Sequence, residues 1–160
     1  MKILYQPIGT IHSPFQDIRD MPIQPTGAKA VQGTIEVDPA YEEGLIDLEG
    51  FSHLILLYHF HLVQEYRLTV TPFLDDQPHG VFATRAPKRP NPIGLSIVRL
   101  LKREGPTLYI KNVDILDQTP LLDIKPYVPD FDWNQVEKTG WLEKSRDRVE
   151  KKRSDDRFKG

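Results

Sequence analysis

Proline falls fourteen times along this 160-residue chain, from Pro7 to Pro129. An interior proline costs a helix roughly 3 kcal/mol, so this spacing leaves little room for long helices. Between the prolines lie runs of strand length rich in β-branched and aromatic residues: KAVQGTIEVDP, SHLILLYHFHL, RLTVTPFLDD, GVFATRAP, SIVRLLKREG and TLYIKNVDILD. All but SHLILLYHFHL end at Pro, Gly or Asp, the pattern of short strands closed by turns. The expectation is an all-β fold, a small barrel or sandwich with one or two short peripheral helices. SIVRLLK and TLYIKNVDIL, joined by REGP, read as a hairpin whose glycine supplies a positive φ. One short helix is expected in DPAYEEGLIDLEG, with Asp38 as cap and Pro39 at the first helical position. A second is expected in GWLEKSRDRVEKKRSDD, where the apolar residues Trp141, Leu142 and Val149 offer little packing support.

The length suits one domain, residues 1–140, followed by a charged helix or tail, 141–160. With no cysteine, disulfides, thiolate metal sites and a cysteine nucleophile are all excluded. The N-terminus reaches Gln6 and Pro7 before a signal-peptide core can develop, and the longest apolar run, FSHLILLYHFHLV, is interrupted by three histidines. No membrane association is expected, and the expected address is the cytoplasm. A net charge of −2 gives no global attraction to nucleic acid, so such a partner would need a local patch. Residues 141–160 carry eight Lys or Arg against five Asp or Glu.

FATRAPKRPNPIGLS, residues 82–96, puts three prolines and three basic residues into the eight positions from Arg85 to Pro92. Pro87, Pro90 and Pro92 fix their own φ and push Ala86, Arg89 and Asn91 toward extended conformations. Such a loop loses little entropy on binding. At about three residues per turn, Arg85 and Lys88 fall on one side with Arg89 alongside. Asn91 adds an amide able to pair with an adenine edge. Without further information the segment also reads as a proline-rich surface connection with solvated charges, bounded by two core strands, GVFAT and IGLSIVRLL.

GVFATRAPKRPNPIGLS resembles the signature of the TsaA-like family. IGTIHSPF (8–15), PIQPTGAKAVQGTIEV (22–37), LEGFSHLILLYHFH (48–61) and VDILDQTPLLDIKPYVP (113–129) resemble further motifs of that family, in its order. The resemblance implies a small β-barrel methyltransferase using S-adenosyl-L-methionine. Its substrate would be a tRNA anticodon stem-loop, methylated at N6 of threonylcarbamoyladenosine at position 37. It also implies a homodimer with the cofactor near the subunit boundary. Consistent with a non-Rossmann enzyme, no G-x-G-x-x-G follows a strand.

By motif position, the resemblance assigns the cofactor pocket to Gln24, Pro25, Thr26, His61, Leu62, Arg85, Ala86, Leu95, Ser96, Asp114, Ile115, Leu116 and Asp117. Carboxylates suit ribose hydroxyls or an α-ammonium, and apolar side chains suit an adenine ring. Standing alone, Asp114 and Asp117 would equally be strand-end and turn residues. His59 and His61 share a face if LYHFH is a strand, but no third ligand follows at a suitable spacing, so no metal is expected.

Methyl transfer from a sulfonium is an in-line displacement in which alignment and exclusion of water dominate. The N6 proton of a carbamoylated adenine must leave, for which Asp114 and His61 are the candidate bases. Arg85 is the candidate for holding negative charge on the substrate. Lys88, Arg89, Asn91, Lys125, Tyr127 and the basic tail are the candidate RNA contacts. The competing expectations are a non-catalytic module binding S-adenosylmethionine or RNA, and a methyltransferase for another small or modified-base substrate.

Overall fold

The computed structural model describes residues 1–160 apart from 20, 24, 149–152 and 159–160. Eight strands run in the order β1 (Gly9–His12), β2 (Gln32–Val37), β3 (His53–His59), β4 (Thr69–Val70), β5 (His79–Gly80), β6 (Ile93–Glu104), β7 (Thr107–Lys111) and β8 (Thr119–Pro126). Six close into an antiparallel barrel in the order β1-β2-β7-β6-β3-β8, while β4 and β5 pair separately. Closure leaves no exposed barrel edge, which suits a chain of short, strongly apolar strands.

Burial alternates along HLILLYH of β3. Leu54, Leu56 and Tyr58 point inward, while Ile55 and Leu57 point out. With Ile11, Ile35, Leu108 and Leu121 these inward residues form one core, and most of its side chains are fully shielded from solvent. Burying each aliphatic side chain contributes about 1.5–3 kcal/mol. The β6–β7 hairpin forms as expected, with Gly105 at φ 58° in the turn.

Two expected core strands are not barrel strands. RLTVTPFLDD supplies only the two residues of β4, and Val81–Ala83 of GVFAT form a single 3-10 turn. Their apolar residues instead serve a second, smaller core of Val70, Val81, Ala86 and Phe158, with Phe73 against it. Conversely β1, noticed only as a motif, is a barrel strand held between β2 and β8. The DPAYEEGL helix is present as a 3-10 turn, Pro39–Leu45, capped by Asp38 through the Ala40 amide. A single α-helical turn, Pro129–Asp132, follows β8.

Gly140–Arg148 of the tail is 3-10 rather than α-helical, and the rest of the helix expected there falls partly outside the described residues. The tail packs back on the molecule. Trp141 donates its indole N–H to Ala83 and stacks on His79, 4.7 Å between centroids at 17°. Arg157 donates to the carbonyl of Pro72 at 2.7 Å, Ser154 bonds the backbone of Met21 and Ile18, and Phe158 meets Phe73 edge-on. Among the described residues no helix is long and apolar enough to cross a membrane.

Candidate functional site

Strand register places three connections at one end of the barrel. Gln32 pairs with Lys111, Ile11 with Thr119 and His59 with Ile93, so segments 13–31, 60–92 and 112–118 leave from the same rim. These carry nearly every residue of the sequence-derived pocket. Hydrogen bonds stitch them together: Ala30 N–H donates to the Asn112 side chain, Asn112 N–H to Val31, Phe60 N–H to Pro92 and Asp117 N–H to Phe15. The turn Pro25–Ala28 packs against β6, bringing the Pro25 and Thr26 backbone to this end, while residue 24 lies outside the described residues.

Asp114 is the chemical centre. Ser96, 1% exposed, donates its hydroxyl to Asp114 Oδ1 at 2.6 Å and is itself 3.0 Å from the Tyr58 hydroxyl. Burial pushes the Asp114 carboxyl up to about 6, opposed by the Ser96 hydrogen bond and the Arg85 charge. Burial, with the Asp114 charge, likewise drives the Tyr58 phenol well above its ordinary range. Arg85 acts on both groups and is solvent-exposed.

The other acidic residue of DILD has a different task. Burial raises the Asp117 carboxyl, but hydrogen bonds from Ser13 N–H, Gln16 and Gln118 outweigh it and hold the group below its ordinary value. Asp117 thus anchors the 13–16 segment. Ile115 lies in the core with its carbonyl taken by Ser13, and the Leu116 carbonyl accepts from Thr119. Asn112 and Gln118, both with φ in the left-handed region, turn the chain at either side of this segment.

The proline loop is folded around a guanidinium. Arg89 Nη1 donates to the carbonyls of Val81, Thr84 and Ala86 at 3.1, 2.8 and 3.3 Å. Thr84 reinforces the turn through its hydroxyl to Val81. Lys88 is only 8% exposed. The three cations expected along one rod are therefore separated: Arg85 faces solvent, Lys88 turns inward and Arg89 serves the loop's own backbone, while the Asn91 amide is exposed. Ala86 packs in the small core.

His61 follows β3 in a turn, half-buried, and burial plus the neighbouring His59 lower its pKa. Leu62 is exposed. Ser96 and Leu95, adjacent in sequence, face opposite sides of the barrel wall, Leu95 outward and 47% exposed. Lys125 and Tyr127 are not brought to this rim. Lys125 pairs with Asp123 at 2.7 Å on the outer wall, and Tyr127 sits at the opposite end, its amide on His53. Among the described residues no three His, Cys, Asp or Glu side chains cluster as a metal site. Sequence reading missed Tyr58, whose inward position shows only in the burial pattern of β3, since LILLY is an unbroken apolar run.

Residues 10–133 match the family model of the tRNA-methyltransferase O N-terminal domain. A Pyrococcus abyssi protein named "Probable S-adenosyl-L-methionine-binding protein" is 57% identical over 99% of this chain and 86% of its own length. The tRNA (adenine(37)-N6)-methyltransferase of Mus musculus is 39% identical over 81% of this chain and 32% of its own. The crystal structure of TrmO from Pseudomonas aeruginosa superposes with a TM-score of 0.74 at 41% identity, covering 88% of this chain and 63% of that one. This chain thus spans less than two thirds of that structure.

Proposed function

The chain belongs to the family of the tRNA-methyltransferase O N-terminal domain, and on that premise we propose that it methylates N6 of an adenosine in tRNA with S-adenosylmethionine as donor. The specific acceptor proposed is threonylcarbamoyladenosine at position 37, in the anticodon stem-loop. The observation that carries this reading is a carboxylate, Asp114, held from within the barrel by Ser96 and under the charge of an exposed arginine, Arg85, where three motif-bearing loops meet.

The donor set fits the cofactor. The Asp114 carboxylate suits an α-ammonium or ribose hydroxyls, and the exposed side chain of Leu62 suits an adenine ring. When bound, the cofactor supplies a methyl group on a sulfonium sulfur. The loops' contribution is alignment and exclusion of water. Arg85 is placed to hold the threonyl carboxylate bidentately, a geometry a guanidinium matches. Of the two candidates for taking the N6 proton, His61 is the better placed: its lowered pKa leaves the ring neutral at pH 7, whereas Asp114 Oδ1 is committed to Ser96.

The proposed assembly is a homodimer. The outer wall of β3 and β6 pairs Leu57 with Leu95 and His59 with Ile93, and Ile93 and Leu95 are substantially exposed. A second copy of the chain would cover these side chains beside the cofactor pocket.

The deciding experiment is a methyl-transfer assay on tRNA carrying threonylcarbamoyladenosine against the same tRNA lacking it. Methylation of the first alone is expected, and transfer to neither would refute the enzyme reading. A second reading, a module that binds S-adenosylmethionine without acting on RNA, is favoured by the inward Lys88 and the committed Arg89. It predicts cofactor binding by calorimetry and no transfer to either tRNA.

A further inference from the structure

One polar line crosses the largely aliphatic interior of the barrel. Tyr58 on β3, Ser96 on β6 and Asp114 on the 112–118 segment are hydrogen-bonded in sequence across it, at 3.0 and 2.6 Å. Ser96 is too deeply buried to touch a ligand at the rim. A polar pair inside an apolar core costs stability that a well-packed apolar pair would not, so its presence calls for a reason. The protein also clears room for it, since Gly94 faces Tyr58 across the strand pair and any side chain there would strike the ring.

The direction of the hydrogen bonds is fixed by chemistry. An ionised Asp114 can only accept, so the Ser96 hydroxyl donates to it, and the Ser96 oxygen is left to receive the Tyr58 proton. The 2.6 Å separation is that of a charge-assisted bond. We propose that Ser96, backed by Tyr58, is a positioning residue of the site, holding the Asp114 carboxylate oriented and ionised for a donor group of the bound nucleoside without touching the ligand itself. This rests on the reading of the rim as an S-adenosylmethionine site. The charged and titratable groups acting on Asp114 are Tyr58 from β3 and Arg85 from the proline loop; Asp117, on its own segment, is engaged by Ser13, Gln16 and Gln118.

The test is calorimetric titration of S-adenosylmethionine from pH 5 to pH 9 into the wild type, Ser96→Ala, Ser96→Thr, Tyr58→Phe, Asp114→Asn and the Ser96→Ala/Asp114→Asn double variant. Wild-type affinity is expected to fall as pH drops through about 6, where Asp114 takes a proton, and Asp114→Asn is expected to abolish that step. Losing the Ser96 donor should move the step upward. An upward move of one unit would weaken binding about tenfold below it and leave binding at pH 9 nearly intact. Tyr58→Phe should do the same to a smaller extent, Ser96→Thr should restore the wild-type profile, and Ser96→Ala should have less than about a twofold effect once Asp114 is Asn.

A Ser96→Ala loss equal at every pH, or undiminished in the Asp114→Asn background, would overturn the proposal and leave Ser96 a packing residue. Should Ser96→Ala fail to fold, Tyr58→Phe carries the same decision through its pH step. Absence of binding by the wild type would instead remove the reading of the site, and the proposal with it.

Discussion

The Tyr58 ring lies across the α-carbon of Gly94, its cross-strand partner, so closely that a β-carbon at position 94 would meet Cζ of Tyr58 at 2.5 Å and Cζ of Phe60 at 2.9 Å. This contact seats the phenol against Ser96 at the end of the barrel where the motif loops gather.

Gly94→Ala is therefore expected to destabilise the protein by about 1–3 kcal/mol, as overpacking of a filled core does. Denaturant unfolding measures it. An unchanged midpoint and slope would mean that the ring yields freely and that the glycine is not needed for packing.

Asp114→Asn should be stabilising at pH 8. The folded-state pKa of Asp114 is raised to about 6, so the folded protein binds a proton that the unfolded chain has released between about pH 4 and 6. Stability from this group is present at low pH and is lost as pH rises through that window, by on the order of 3 kcal/mol. The advantage of the Asn variant in thermal unfolding should accordingly be large at pH 8 and vanish near pH 4. An advantage independent of pH would refute the burial of the charge.

Arg89→Lys should lower tRNA turnover at least about tenfold, because the lysine side chain is one bond shorter and its ammonium falls short of the point where Nη1 gathers the three carbonyls. The loss comes through loop geometry, so the salt dependence of tRNA affinity should keep its slope. A slope reduced by about one would instead identify Arg89 as a phosphate contact.

For Arg85→Ala, turnover on modified tRNA should drop by at least about tenfold, a loss of more than about 1.4 kcal/mol of transition-state stabilisation. Calorimetry on the same variant separates a defect in cofactor binding from one in substrate binding. Near-normal turnover would remove the arginine from the reaction.

The contact between the tail and the proline loop should loosen in acid. The hydrogen bond with His79 pulls the Asp75 carboxyl down to about 2, and His79 carries Trp141 on its ring. A depressed carboxyl contributes above its unfolded pKa and loses that contribution as pH falls through its folded value. In a Trp133→Phe background, Trp141 emission should shift toward that of exposed indole between about pH 4 and 2, while the far-ultraviolet signal of the barrel persists. A simultaneous change in both would show that the tail is not a separate unit of loosening.

Much of the barrel was legible because strand-length runs rich in β-branched and aromatic residues stand between turn residues. HLILLYH, QGTIEV and TLYIK lie in such runs and became β3, β2 and β7. RLTVTPFLDD and GVFAT carry the same residue types but supply no barrel strand. Their apolar side chains meet Phe158 from the far end of the chain, and local pattern holds no trace of that partner. β1 escaped notice because four residues are too few to display a period.

Composition, proline spacing and strand-length apolar runs settled the class of fold, and five separated motifs settled the family. Tertiary structure alone decided where the motif residues lie and what they touch. Barrel closure brought segments 13–31, 60–92 and 112–118 to one rim and left Tyr127 at the other. It turned Lys88 inward and spent Arg89 on backbone carbonyls, and it set Ser96 behind Asp114, shielded from solvent. The reason is physical: a strand's period fixes which face a side chain takes, but which loop lies beyond that face depends on strand order and register, set by the packing of the whole core.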